Sequence, residues 1–171
     1  MEMKDPGMTC RIGALDHRDR ATAARIHAIQ LEAYALERDL LGVASFPPLE
    51  RTVDDVLRSD DRFLGAYLGE RLVGVAALEG DPSGACLVIS SLVVSPGFQR
   101  RGVARSLLEA VGEAYPAHSL TVSTGLDNGP ALALYAGFGF REVRRKVVGR
   151  DSIAMIELNR AAPLFSPAEP T

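Results

Sequence analysis

The stretch LVVSPGFQRRGVA, Leu92 to Ala104, decides how this chain folds. Apolar residues end at Ser95-Pro96-Gly97, where proline cannot continue a ladder, and a Gln-Arg-Arg-Gly turn then leads into a helical pattern. Strand, turn and helix follow one another without a spacer. A helix beginning at Gly102 leaves its first backbone N–H groups without intrahelical partners, its macrodipole makes that end positive, and glycine admits close approach of another group. With Arg100, Arg101 and Arg105 alongside, the segment reads as a seat for a phosphate or pyrophosphate, or as an ordinary turn with solvated arginines.

Two familiar phosphate loops are excluded. A P-loop requires Gly-Lys-Ser/Thr, which does not occur; a dinucleotide fingerprint requires a third glycine, and Gly137 and Gly139 are followed by Glu142. Neither ATP nor NAD is indicated.

Upstream of the turn, Ala85 to Val94 is apolar nearly throughout, as in a central strand covered on both faces. Arg62 to Leu68 and Arg71 to Leu78 read as a hairpin joined at Gly69-Glu70. Before them, Met8 to Leu15 alternates as a strand, and Asp16 with Asp19 has the spacing of a helix cap. Ile26, Ile29, Ala33, Leu36 and Leu40 then form one core-facing stripe, which Gly42 and Pro47-Pro48 break. Thr52 with Asp55 opens a second, short helix through Leu57. Downstream, Gly102 to Tyr115 is a helix with Val103, Leu107, Ala110 and Val111 on one side, and Pro116 stops it. Leu120 to Ser123 is a strand, Pro130 to Ala136 a short helix, and Phe138 to Val148 and Ser152 to Leu158 are two further strands. This α/β order implies a mixed sheet with helices on both faces. Residues 1–160 form a single domain, and 161–171, with three prolines, a flexible tail.

Composition excludes other classes. The chain has 171 residues, 47% of them hydrophobic and 24% charged, enough for one buried core and unlike a disordered chain. Its longest apolar run is interrupted by Ser90 and Ser91 and falls far short of the roughly 20 residues of a membrane span, so no membrane partner is expected. Charged residues near the start speak against a secretory signal and for a cytoplasmic location. Cys10 and Cys86 suit core packing, and with three histidines they make no metal site. A net charge of −3 argues against nucleic acid. Residues 1 to 60 hold eight basic against eleven acidic side chains, whereas residues 99 to 150 hold eight against four. An acidic first part suits a cationic ligand and a basic second part an anionic one, and solvated surface explains the same asymmetry.

A second segment, DNGPALALYAGFGF from Asp127 to Phe140, puts Asn128 before a helix and Tyr135 near its end. With it the chain resembles the GNAT superfamily, the Gcn5-related N-acetyltransferases. That family's Q/R-x-x-G-x-G/A motif is matched by Gln99, Arg100, Arg101, Gly102, Val103 and Ala104, and its V-x-P element by Val94-Ser95-Pro96. Asn128 with Ala131, Leu134-Tyr135 and Gly139-Phe140 are similar to its later elements.

The resemblance implies a mostly antiparallel sheet of six to seven strands, splayed in a V where acetyl-CoA binds as co-substrate, with no metal. Backbone groups of Leu92, Val93 and Val94 would pair with the pantetheine, the amides of Arg101 to Ala104 would hold the pyrophosphate, and Asn128 would contact the pantetheine arm. A free Val94 amide would polarise the thioester. Tyr135 would protonate the departing thiolate, a role open to a phenol of pKa about 10; alternatively it is an aromatic packing its helix onto the sheet. The acceptor would be a small-molecule or peptide amine, attacked directly in a ternary complex; a homodimer is compatible with this reading. Acceptor recognition would lie around His27, Tyr34, Glu37, Asp39, Phe46 and Glu50. For the general base, Glu79 is the first candidate, ahead of Asp127 and a water held by Ser90 or Ser91, although a solvated strand end also explains Glu79. Leu120 to Thr124 holds no carboxylate, where ribosomal-protein-modifying members carry a glutamate, and this argues against that substrate. A non-catalytic acyl-CoA-binding regulatory module is the alternative.

Overall fold

The computed structural model describes residues 9–162. In chain order they form β1 (Arg11–Leu15), α1 (Arg20–Leu41), α2 (Val53–Arg58), β2 (Arg62–Leu68), β3 (Arg71–Glu79) and β4 (Cys86–Val94). There follow α3 (Val103–Ala114), β5 (Ser119–Gly125), α4 (Gly129–Gly137), β6 (Arg141–Val148) and β7 (Ile153–Arg160). One seven-stranded sheet runs β1-β2-β3-β4-β5-β7-β6, and only β4 and β5 are parallel. A parallel pair needs a crossover, and α3 supplies it. The expected mixed, mostly antiparallel sheet is the one observed. Met8, read as the start of the first strand, and residues 163–171 of the expected tail lie outside the described residues.

Each face of the sheet has its own core. Ala23, Ile26, Ile29 and Ala33 of α1 and Val56 of α2 cover Phe63, Val75, Ala77 and Val93. On the other face, Val103, Leu107, Leu108 and Val111 of α3 cover Val73, Ala76, Leu78, Leu87 and Ile89. Gly74 allows α3 to sit this close: a Cβ there would lie 2.8 Å from Val103 Cγ1. Among the described residues no helix is long and apolar enough to cross a membrane.

Four expectations are corrected. Asp19, rather than Asp16, caps α1, because its carboxylate accepts from the Thr22 N–H while Asp16 closes the preceding turn onto Arg18 N. Leu36 and Leu40 are not core: at 44% and 53% exposed they run past the sheet. The strand before the turn is covered on both faces only from Ser91 to Val94; in its first half the side carrying Cys86, Val88 and Ser90 is exposed. Cys86 is exposed at the start of β4, whereas Cys10, just before β1, is half-buried and packs against the α3-side core as expected.

The short α2 depends on its cap. Thr52 Oγ1 accepts from the Asp55 N–H at 3.2 Å and Asp55 Oδ2 from the Thr52 N–H at 2.8 Å. These bonds hold the Asp55 carboxyl below its usual range. Thr52→Ala should therefore cost about 1 kcal/mol of stability. The urea midpoint reads this directly, and an unchanged midpoint would show that packing of Val56 alone holds the helix.

Candidate active site

The site originates in an interrupted strand pair. β4 and β5 are paired only from Cys86 with Ser119 to Ile89 with Val122. Beyond this point β5 continues along β7 to Gly125, while β4 continues along β3 to Val94. The edge of β4 from Ser90 to Val94 thus faces a gap.

A bulge at the start of that gap sets which side chains enter it. Ala77 pairs with Ser91 and Leu78 with Ile89, so Ser90 is an extra residue. Because side chains alternate along a strand, one extra residue reverses their facing. Leu87 and Ile89 pack with α3 before the bulge; beyond it Leu92 and Val94 do so, and Val93 turns to the α1 core. Ser91 also turns to α1, where its Oγ accepts from Gln30 Nε2 at 3.2 Å and is hydrogen-bonded to the Tyr34 hydroxyl at 2.6 Å.

Two cavities adjoin the gap. The first, of ≈ 530 Å³, is lined by Leu92, Val93 and Val94 of β4, Gln99 and Arg100 of the turn, and Gly102, Val103 and Ala104 at the start of α3. Asn128, the cap of α4, and Tyr135 within α4 close the set of expected residues. Of that set only Arg101 lies outside the lining; its guanidinium sits over the Phe98 ring at 5.5 Å. Arg105 lines the cavity instead, and so do the exposed Leu36 and Leu40. No side chain caps α3 and no acidic residue occupies its first turn. Gly102 has φ 82°, and a Cβ on it would meet nothing within 4 Å. Gln99 Nε2 donates to the Val94 carbonyl at 3.4 Å.

The second cavity, of ≈ 360 Å³, lies between Ile89–Leu92 and Val122–Thr124, with Tyr34, Phe46 and Pro47 on its wall. Glu37, Leu92, Asn128, Ala131 and Tyr135 line both cavities. Tyr135 is buried against Phe140, with ring centroids 5.4 Å apart. Among the described residues its hydroxyl has no hydrogen-bond partner, and burial, with the Glu37 carboxylate and Tyr34 nearby, pushes the phenol well up. Burial also raises the Glu37 carboxyl, while a hydrogen bond from the Asn128 side chain opposes the rise. Asn128 Oδ1 meanwhile accepts from the Ala131 N–H at 3.3 Å and caps α4.

The structure does not bring Glu79 to either cavity. It ends β3 in solvent, opposite Val88, and Asp127 is likewise exposed and off both linings. Ser90 and Ser91 do line the second cavity. Of the candidates for acceptor recognition, Tyr34, Glu37 and Phe46 line it; His27 is bonded to the Arg51 carbonyl at 2.8 Å, and Asp39 and Glu50 lie outside it. The carboxylate that lines both cavities, offered by the sequence for acceptor recognition and not as a base, is Glu37. One signal was present: it lies one turn from Ala33 and beside Leu36, on the stripe that aims α1 at the sheet.

Solved structures share this architecture. The ribosomal-protein-S18-alanine N-acetyltransferase from Escherichia coli superposes with a TM-score of 0.72 at 17% identity, covering 95% of this chain and all of that one. The PaiA N-acetyltransferase from Thermoplasma acidophilum, in complex with coenzyme A, gives 0.64 at 16% identity over 87% of this chain and 98% of its own. At such identities the likeness shows the fold alone. The UPF0157 protein YqkA of Bacillus subtilis (strain 168) is 33% identical over 129 residues, 75% of this chain and 37% of that protein. The chain thus spans little more than a third of that relative's length. Residues 24–140, which run from α1 through the bulged β4 and its turn to Phe140 and supply most of both cavity walls, match the acetyltransferase (GNAT) family, and this chain belongs to that family.

Proposed function

We propose that the chain is an acetyl-CoA-dependent N-acetyltransferase that joins an acetyl group to a primary amine by direct attack in a ternary complex. The observation that carries this reading is that two cavities, one at a bare helix start and one in the β4–β5 gap, share Tyr135 and Glu37. Two free thiols, Cys10 and Cys86, suit action in the reducing cytosol.

The residues present fit the co-substrate. The α3 amides from Val103 to Arg105 have no intrahelical acceptor, and Gly102 leaves open space beside them, so a pyrophosphate has donors and room. Arg100 and Arg105 line the same cavity and add positive charge. The unpaired β4 edge at Leu92, Val93 and Val94 suits the amides of a pantetheine arm, and the exposed Leu36 and Leu40 suit its methylenes. When bound, acetyl-CoA supplies an activated thioester.

The chain's own groups handle the protons. An amine of pKa about 10 arrives protonated, and Glu37 accepts that proton. Tyr135, kept protonated by burial, holds a proton for the departing thiolate. Tyr135→Phe keeps the ring against Phe140 and removes only the hydroxyl. Turnover should fall about 10²-fold with little change in acetyl-CoA affinity. Thiol release and calorimetry measure both. Equal turnover in the two proteins would exclude the acid role, and binding without turnover on any amine in the unaltered protein would favour a regulatory module.

A further inference from the structure

We propose that the acceptor is a primary amine with a single positive charge on an apolar body and no carboxylate or phosphate, selected by the cavity between β4 and β5. This deepens the acetyltransferase reading and rests on it. Among the described residues lining that cavity, Glu37 is the one carboxylate, and none is lysine, arginine or histidine. An ammonium group therefore meets a counter-charge. A substrate carboxylate or phosphate meets only Glu37, of its own sign, and loses its hydration without a cation to replace it.

The hydroxyls strengthen the choice. Ser90 lines the cavity, and its hydroxyl donates to Asp61 Oδ2 at 2.6 Å, so the oxygen has only lone pairs left to offer. An ammonium carries donors alone and matches them; a carboxylate carries acceptors alone and does not. Asp61 thus acts as a positioning residue. Phe46, Pro47, Pro48, Val148 and Met155 form an apolar stretch of the wall, beside the uncharged Ser123 and Thr124, and this stretch suits a hydrocarbon or aromatic body. A second ammonium, as in a polyamine, would find no second carboxylate among the lining residues.

The test compares 2-phenylethylamine, phenylalanine and spermidine. With acetyl-CoA saturating, kcat/KM for 2-phenylethylamine should exceed that for either of the others by about a hundredfold, as expected when an unpaired charge must be desolvated. Calorimetry on the protein loaded with coenzyme A should show the same order of affinity. Comparable values for 2-phenylethylamine and phenylalanine in both measurements would overturn the proposal. If no amine is acetylated but the loaded protein still binds 2-phenylethylamine in preference, the selection stands and the transfer reading falls; no preference in binding overturns the selection as well. In Asp61→Asn the side-chain amide donates to Ser90 and frees the Ser90 proton, so the preference over phenylalanine should shrink about tenfold, by a higher KM for the amine. A preference unchanged in this variant would overturn the role given to Asp61 and Ser90.

Discussion

Replacing Gly102 with valine should weaken acetyl-CoA binding by about 10³-fold, the loss expected when two or more charge-assisted hydrogen bonds from backbone amides are blocked. Gly102 lines the first cavity, and the space a side chain would enter there is empty. Valine at φ 82° also strains the backbone by about 1–2 kcal/mol, so the variant should melt a few degrees lower. Gly69, at φ 59° in the β2–β3 turn and with open space around it, separates the two effects. Gly69→Val should lose stability similarly and bind acetyl-CoA normally. Calorimetry on both variants decides, and unchanged affinity in Gly102→Val would place the phosphates elsewhere.

Replacing Glu37 with glutamine should lower kcat/KM for the amine by about 10³-fold, within the range of general base catalysis. The pH dependence gives a sharper signature. Burial raises the Glu37 carboxyl above its ordinary 4.5. A base works when ionised, so activity of the unaltered protein should rise with pH through that raised value, and again as the amine deprotonates. The glutamine variant should keep only the second rise. Stability should move the opposite way. A carboxyl whose folded pKa is raised contributes stability that is fully present below its unfolded pKa and lost as pH rises through the folded one. Once ionised, Glu37 therefore weakens the fold, and Glu37→Gln should melt higher than the unaltered protein as pH rises, with the difference closing in acid. A variant that retains full activity and the lower pH limb would remove Glu37 from the chemistry and leave a bound water to do the work.

Several features of this protein are carried by signals a few residues long. Pro96 ends β4, Gly102 starts α3, Thr52 with Asp55 caps α2, and the period of Ile26, Ile29 and Ala33 aims α1 at the sheet. Each acts through its own backbone or its nearest neighbours, so the order of elements and the residues around the phosphate seat are legible without a structure. The sequence alone therefore determined the fold class, the family motif and the bare helix start.

Only the tertiary structure decided how the gap is furnished. Whether Ser90 is a bulge depends on the register between β3 and β4, which no short pattern encodes, yet that one residue sends Leu92 and Val94 to one face and Ser91 and Val93 to the other. Glu79 looked suitable because it ends a strand while Leu120 to Thr124 holds no carboxylate, but β3 carries it to solvent. Glu37 comes near Tyr135 because α1 on one face of the sheet and α4, packed with the α3 core on the other, both border the β4–β5 gap, and Leu36 and Leu40 leave the core for the cavity wall at the same place. Capping and hydrophobic period act within a turn or two of the chain, whereas the approach of a carboxylate to a phenol distant in sequence is set by how two layers pack on one twisted sheet.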